Sequence, residues 1–268
     1  MKHTFLDLYR EGTSPVHRLD ARVKLVATLA FVLAASLLVP GYWPGYLALV
    51  ALGLAAVGVA RVPWRVALGR SLVAIPFALM AAVSLPFVRP GRALFAMNIG
   101  PWQLAATDAG CRALAEVLAR AWASVLVAGL LTATTPFSDL LAALQSLGLP
   151  RLLVALVSFL YRYLFVLVDE AERLWRAREA RSAGVSRRAG GGVVWRAKVL
   201  GGLIGSLFIR SYERSERVYQ AMRARGFQGE IRSLAASRAP TRDLWVGLAL
   251  LMGLAALVAS GHVPWWGG

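Results

Sequence analysis

Two arginines stand in the same short setting, Ala180-Arg181-Ser182 and Ala224-Arg225-Gly226. Each closes a run of helical composition, so each belongs at a helix C-terminal end. The chemistry open to such a group is recognition. A guanidinium is permanently charged and planar, and it grips a carboxylate with two parallel hydrogen bonds in a way that lysine cannot. The small neighbours Ala180 and Ala224 would let the helix end approach another backbone, while Ser182 and Gly226 would let the chain turn away. A plainer account is that cations are favoured at helix C-termini by the helix dipole, by roughly 0.3 to 1 kcal/mol each. Spacing alone leaves both accounts open.

Other chemistries are poorly equipped. Asp169, Glu170 and Glu172 invite an acid/base reading, but Asp169–Arg173, Glu172–Arg176 and Glu213–Arg217 are all spaced i to i+4, which predicts ion pairs along helix faces. The glycine-rich run Ala189 to Gly192 lacks the lysine and the strand of a phosphate-binding loop, so any ATP must be bound by another chain. His3, His17 and His262 are the only histidines, and none has a His or Cys at ligand spacing. A surface role is expected for His3, with a meeting with a metal ion as the minor alternative. No metal site and no catalytic residue is therefore assigned. Cys111 is the single cysteine, which excludes an internal disulfide. Gly201 and Gly205 have G-x-x-x-G spacing and mark a close helix crossing.

The elements that must carry the arginines are membrane elements. Of 268 residues, 58% are hydrophobic and 16% charged, too apolar for a soluble domain of this size. The formal charge is +16, which suits anionic lipid, an acidic protein or nucleic acid. Residues 1–22 lack the apolar core of a secretory signal. Apolar runs of spanning length cover Val23 to Val39, Gly45 to Ala60, Ser71 to Val88, Val117 to Thr134 and Leu244 to Ser260. Trp43, Trp64, Trp102, Trp245, Trp265 and Trp266 fall near their ends, as interfacial anchors do. A sixth run, Leu152 to Val168, contains Arg162, and a seventh, Val199 to Ile209, is too short to span.

Charge decides the sixth and seventh. With five crossings and the N-terminus inside, 26 of the 30 basic residues lie inside, and only Arg89, Arg92, Arg112 and Arg120 do not. If Leu152 to Val168 also crossed, the 16 basic residues from Arg173 to Arg242 would move outside, against the cytoplasmic bias of Lys and Arg. The expected architecture is an all-α integral membrane protein. It has a four-span membrane domain (1–134), a cytoplasmic coupling domain of long crossing amphipathic helices (135–243) and a closing transmembrane helix (244–268). In the cytoplasmic segment Ser138 and Gly148 bound a short helix over 139–147. Pro150 opens a long helix to about Ser182, and a second long helix runs from Val193 to Arg225, with Gly226 as its C-cap.

Three stretches carry a family resemblance: "SPVHRLDARVKLVATLAFV" (14–32), "LLTATTPFSDLLAALQSLGLPRLLVALVSFLYRYLFVLVDEAERLWRAREARS" (130–182) and "GSLFIRSYERSERVYQAMRARGFQG" (205–229). The chain resembles the transmembrane T component of energy-coupling factor transporters, and in particular the CbiQ branch associated with cobalt. The resemblance implies a non-enzymatic coupling subunit in a prokaryotic cell membrane, with its N-terminus and coupling domain in the cytoplasm. It would hold a pair of ABC-type ATPases, which use the ATP and magnesium, and a substrate-binding membrane subunit, the CbiM-like S component. Arg181 and Arg225, with their flanking residues, then match the motifs that dock into grooves on the ATPases. Cobalt comes from the resemblance alone, with nickel or a vitamin as alternatives. Where the family often has proline, this chain has Ala21, a change expected to affect only how the first span begins.

Two further classes compete. A membrane enzyme acting on an anionic lipid or prenyl substrate would need acidic metal ligands or a nucleophile, and residues 23–134 offer only Asp108 and Glu116 as acids. A nucleic-acid-binding role is permitted by the charge but weakened by the glutamates interleaved with the arginines, so no nucleic-acid partner is expected.

Overall fold

The computed structural model describes residues 9–10, 12–99, 102–182, 193–228 and 240–262. His3, the 189–192 connection, Trp265 and Trp266 lie outside the described residues. The elements in chain order are α1 (Pro15–Arg18), α2 (Ala21–Leu37), α3 (Trp43–Ala60), α4 (Trp64–Leu72), α5 (Ala74–Ala82), α6 (Leu85–Val88), β1 (Ala93–Ile99) and β2 (Trp102–Thr107). They continue with α7 (Asp108–Thr134), α8 (Phe137–Ser146), α9 (Arg151–Ser182), α10 (Val193–Ala224) and α11 (Thr241–His262). The helical expectation holds, with one addition. Residues 93–107 form an antiparallel hairpin in which Ile99 pairs with Trp102 and Asn98 with Gln103. The chain divides into two compact units, one of residues 4–143 and 237–268, the other built from residues 144–236.

Five helical stretches are long and apolar enough to cross a membrane: Trp43–Ala60, Trp64–Val88, Asp108–Thr134, Arg151–Arg181 and Thr241–His262. The number matches the expectation, but the membership differs. The first expected span is α2, which has 17 residues because Asp20 caps its start and Leu38 turns to extended backbone; that is about 25 Å of helix. The apolar half of α9 meets the criterion instead. The third span is broken into α4, α5 and α6. Pro76 and Pro86 cannot supply the N–H that residues 72 and 82 would accept, and the helix is interrupted at Val73 and at Val83 to Ser84.

In the first unit α7 is the central post, packed against α2, α3, α4, α5 and α6. Its start is fixed by Thr107, whose hydroxyl accepts from the Gly110 N–H at 3.2 Å, and by the Asp108–Arg112 ion pair at 2.7 Å. Small residues let the helices close up: Ala34, Ala35 and Ala123 are buried beside Phe31, Leu49 and Leu254. A Cβ on Gly247 of α11 would lie 2.8 Å from Val23 of α2, so only glycine permits that approach.

Polar side chains tie both ends of this bundle. At one end Lys24, 8% exposed, donates through Nζ to the Thr134 carbonyl at 3.1 Å and to the His17 carbonyl at 3.5 Å. Asp243 accepts from the Asp20 backbone N–H at 2.8 Å, and the Asp20 side chain caps α2 through the Arg22 N–H. Ala21 is thus the first helical residue, a position whose N–H has no intrahelical partner. The starts of α2 and α11 and the end of α7 are therefore gathered on one side. At the other end the Glu116 carboxylate accepts from the Gly41 N–H at 2.9 Å, and Arg120 donates to the Tyr46 hydroxyl at 2.8 Å. These two contacts clamp the α2–α3 turn onto α7, which gives the ionisable groups of this unit a structural use.

Candidate partner-binding site

The second unit is a pair of 32-residue helices, α9 and α10. The connection before α9 is set by glycine. Gly148 has φ +102°, and the N–H groups of Gly148 and Leu149 bond back to the Gln145 and Leu144 carbonyls. This is the paired C-cap that satisfies the last carbonyls of a helix. Pro150 then accepts from the Leu153 and Val154 N–H groups at 3.0 and 3.2 Å, so it caps α9 and the helix itself begins at Arg151. The start of α8 differs from the expectation. It begins at Phe137, with Pro136 accepting the first bonds, and Ser138 lies in the first turn with its hydroxyl on Asp139.

The expected charge pattern is present with one change. Arg176–Glu172 and Arg217–Glu213 pair at i to i+4, at 3.2 and 3.9 Å. Arg173 contacts Glu170 at 3.8 Å, one position on from the Asp169 expected for it. Glu170 also accepts from Arg210 of α10 at 2.8 Å, and this is where the two helices are tied. A second contact places the Arg178 guanidinium 5.9 Å from the Trp195 ring. The C-terminal arm of α9 therefore runs beside the N-terminal arm of α10, and the helices are antiparallel in sense.

Gly201 and Gly205 do not make this crossing. Both are exposed, and among the described residues a Cβ on either would meet nothing within 4 Å. The helices are tied instead at Glu170 and Arg210, on a stretch of α10 beyond the two glycines.

Both arginine signatures are where the sequence puts them. Arg181 lies in the last turn described for α9 and is exposed, as is Ala180; Ser182 is the last described residue of that helix. Ala224 ends α10, and Arg225 follows as its C-cap residue. Gly226 has φ +80°, a conformation that costs an L-residue roughly 1–2 kcal/mol. The Gly226 N–H bonds to the Arg223 carbonyl at 2.9 Å and the Phe227 N–H to the Met222 carbonyl at 3.0 Å. The helix end is thus closed by its own backbone and does not need a guanidinium on its carbonyls. Among the described residues neither the Arg181 nor the Arg225 guanidinium makes a hydrogen bond, ion pair or ring contact. By contrast Arg173, Arg176, Arg210 and Arg217 are ion-paired, and Arg178 and Arg223 lie over rings. Because the pair is antiparallel, the two free cations project from opposite arms. Counted at 1.5 Å per residue, Arg181 stands about 16 Å beyond the Glu170–Arg210 tie and Arg225 about 22 Å beyond it in the other direction.

Gly226→Val should fray this end without unfolding the chain. Amide exchange at Gly226 and Phe227 should accelerate about tenfold for a helix end weakened by 1–2 kcal/mol. Unchanged protection there would mean that the turn does not depend on glycine.

Among the described residues no three His, Cys, Asp or Glu side chains gather as a metal site. The interhelical contact that spacing missed is Glu170–Arg210, because its partners are 40 residues apart.

A family model described as cobalt transport protein, CbiQ, matches residues 12–234. The cobalt transport protein CbiQ of Rhodobacter capsulatus is 31% identical over 185 residues, covering 69% of this chain and 72% of that one. The energy-coupling factor transporter transmembrane protein EcfT of Leuconostoc gelidum is 27% identical over 240 residues, 86% of each chain. An ABC transporter ATP-binding protein of Bifidobacterium longum is 32% identical over 259 residues, 92% of this chain but only 32% of the longer protein.

Proposed function

Because the chain belongs to the CbiQ family of cobalt transport proteins, we propose that it is the coupling subunit of an ATP-driven importer of the energy-coupling factor type, working on cobalt. The observation that carries this reading is the pair of exposed guanidiniums with no partner among the described residues, each in the last described turn or at the end of its helix and on opposite arms of one crossed pair. One ATPase subunit would take each arginine into an acidic groove. Closure of the ATPases on ATP would then draw the two arms together and move the tie at Glu170–Arg210. A relative in which a region 32% identical to this chain forms about a third of an ABC transporter ATP-binding protein supports the ATPase partnership. The membrane partner, a CbiM-like substrate-binding subunit, and the use of ATP and magnesium by the partners follow from the family resemblance.

The proposed topology puts the second unit in the cytoplasm. The starts of α2 and α11 and the end of α7 share one side with Arg18, Arg22 and Arg242, which is the side that the charge bias makes cytoplasmic. In this reading α2 crosses despite its length, and the apolar half of α9 lies along the membrane surface. Arg162 sits in that half, and crossing would carry the arginine-rich arms outside.

Radiocobalt uptake tests the assignment. Cells lacking the chain should regain ATP-dependent accumulation of cobalt when it is restored beside its ATPase and membrane partner. Restoration of nickel or vitamin uptake without cobalt would reassign the substrate.

A further inference from the structure

On one side of the Glu170–Arg210 tie the two helices enclose a cleft of about 560 Å³. Its α9 wall is Glu170 of the tie and Leu167 on its N-terminal side, and its α10 wall runs from Leu207 through Arg210, Arg214 and Arg217, toward the C-terminus. The cleft therefore opens between the apolar arm of α9 and the cationic arm of α10. Continuing the α9 wall by one and two turns, Leu164 and Leu160 are 38% and 68% exposed. The α10 wall is charged: Arg210, Arg214 and Arg217 lie on one face by their spacing. Arg210 is held by Glu170 at 2.8 Å, and Arg217 is loosely paired with Glu213 at 3.9 Å. Arg214 makes no ion pair among the described residues. Three arginines against two glutamates leave one uncompensated positive charge beside an exposed leucine wall.

We propose that this cleft binds the headgroup of an anionic phospholipid, its phosphodiester on Arg214 and Arg217 and its acyl chains along Leu160, Leu164 and Leu167. A phosphodiester carries the one negative charge that the cleft lacks, and guanidinium is suited to phosphate oxygens. A free anion would use the arginines but leave the leucine wall in water. The lipid covers both. Its role is to seat the crossed pair against the membrane, and the inference rests on the reading that the apolar half of α9 lies along the membrane surface.

The test uses the full chain purified in mild detergent and native mass spectrometry with short-chain phosphatidylglycerol, phosphatidylcholine and inorganic phosphate as probes. The wild type should retain phosphatidylglycerol in preference to the other two. Arg214→Gln/Arg217→Gln should bind it about twenty-five-fold more weakly, a factor of roughly five for each arginine near an anionic headgroup. Arg65→Gln, an exposed cation of the other unit, should bind it as the wild type does. Equal retention of phosphatidylcholine, or an unchanged affinity in the double variant, would overturn the site. Phosphate bound as tightly as the lipid would make it a free-anion site and overturn the lipid assignment. Co-purification of the ATPases separates this inference from the coupling role. The double Gln variant should keep them, and a variant that keeps its lipid but loses them would show that the cleft is a protein contact.

Discussion

Arg181→Glu/Arg225→Glu should reduce ATP-dependent cobalt uptake to background in membrane vesicles, while the protein still inserts and unfolds at the wild-type temperature. Both side chains are exposed and, among the described residues, make no contact that folding would lose. Surface substitutions of that kind shift stability by only about 0.5 kcal/mol. The loss is expected in the complex. Removing one partner of a desolvated, hydrogen-bonded charge pair costs about 2–5 kcal/mol, at least about thirtyfold in affinity per site, and reversal adds repulsion. Each single Glu variant should therefore loosen the assembly, and the double variant should abolish coupling. Arg181→Lys and Arg225→Lys should recover only part of the uptake, since lysine keeps the charge but not the planar fork. Full activity of the lysine variants would mean that charge alone is recognised.

The largest expected loss of stability lies elsewhere, at Lys24. Its ammonium is buried and joins three elements, through the His17 carbonyl in α1 and the Thr134 carbonyl at the end of α7. Lys24→Met fills much of the same volume but leaves the Thr134 carbonyl without that donor. A hydrogen bond to a charged group contributes about 1.5–3 kcal/mol, and an orphaned buried acceptor adds its own desolvation cost. A loss of about 3 kcal/mol should be seen as a lowered unfolding midpoint in detergent. Below that midpoint the ATPases should still co-purify, because the substitution leaves both arginine ends untouched. A midpoint equal to the wild type would show that the Lys24 contacts do not hold the base of the bundle.

What could be foreseen from the sequence was local. Gly148 and Gly226 announced their helix ends because positive φ is a property of one residue and its immediate neighbours. The bounds of α9 followed from Pro150 and the run of charged residues after Val168. The i to i+4 pairs Glu172–Arg176 and Glu213–Arg217 followed from helical spacing, and so did the placement of Arg181 and Arg225 at helix ends.

What escaped was contact between distant residues. The Asp20–Asp243 contact spans 223 positions and Lys24–Thr134 spans 110, separations at which spacing carries no information. Gly201 and Gly205 promised a crossing by motif alone, whereas the crossing is made by Glu170 and Arg210. The hairpin over residues 93–107 was hidden by alanine, leucine and methionine, which favour helices. Its one punctuation, Gly100-Pro101, reads equally well as a loop. Pro76 and Pro86 lay inside an apolar run, and the run's length concealed the breaks that they cause.

Whether two arginine-tipped arms hold two ATPases is read from co-purification. The tagged chain is drawn from its native membrane in mild detergent, as wild type and as Arg181→Glu/Arg225→Glu, and its partners are identified. An ABC-type ATPase and a small membrane subunit should come down with the wild type, and the ATPase alone should be lost from the double variant. An ATPase fully retained by the double variant would contradict the coupling role and reduce both signatures to helix caps.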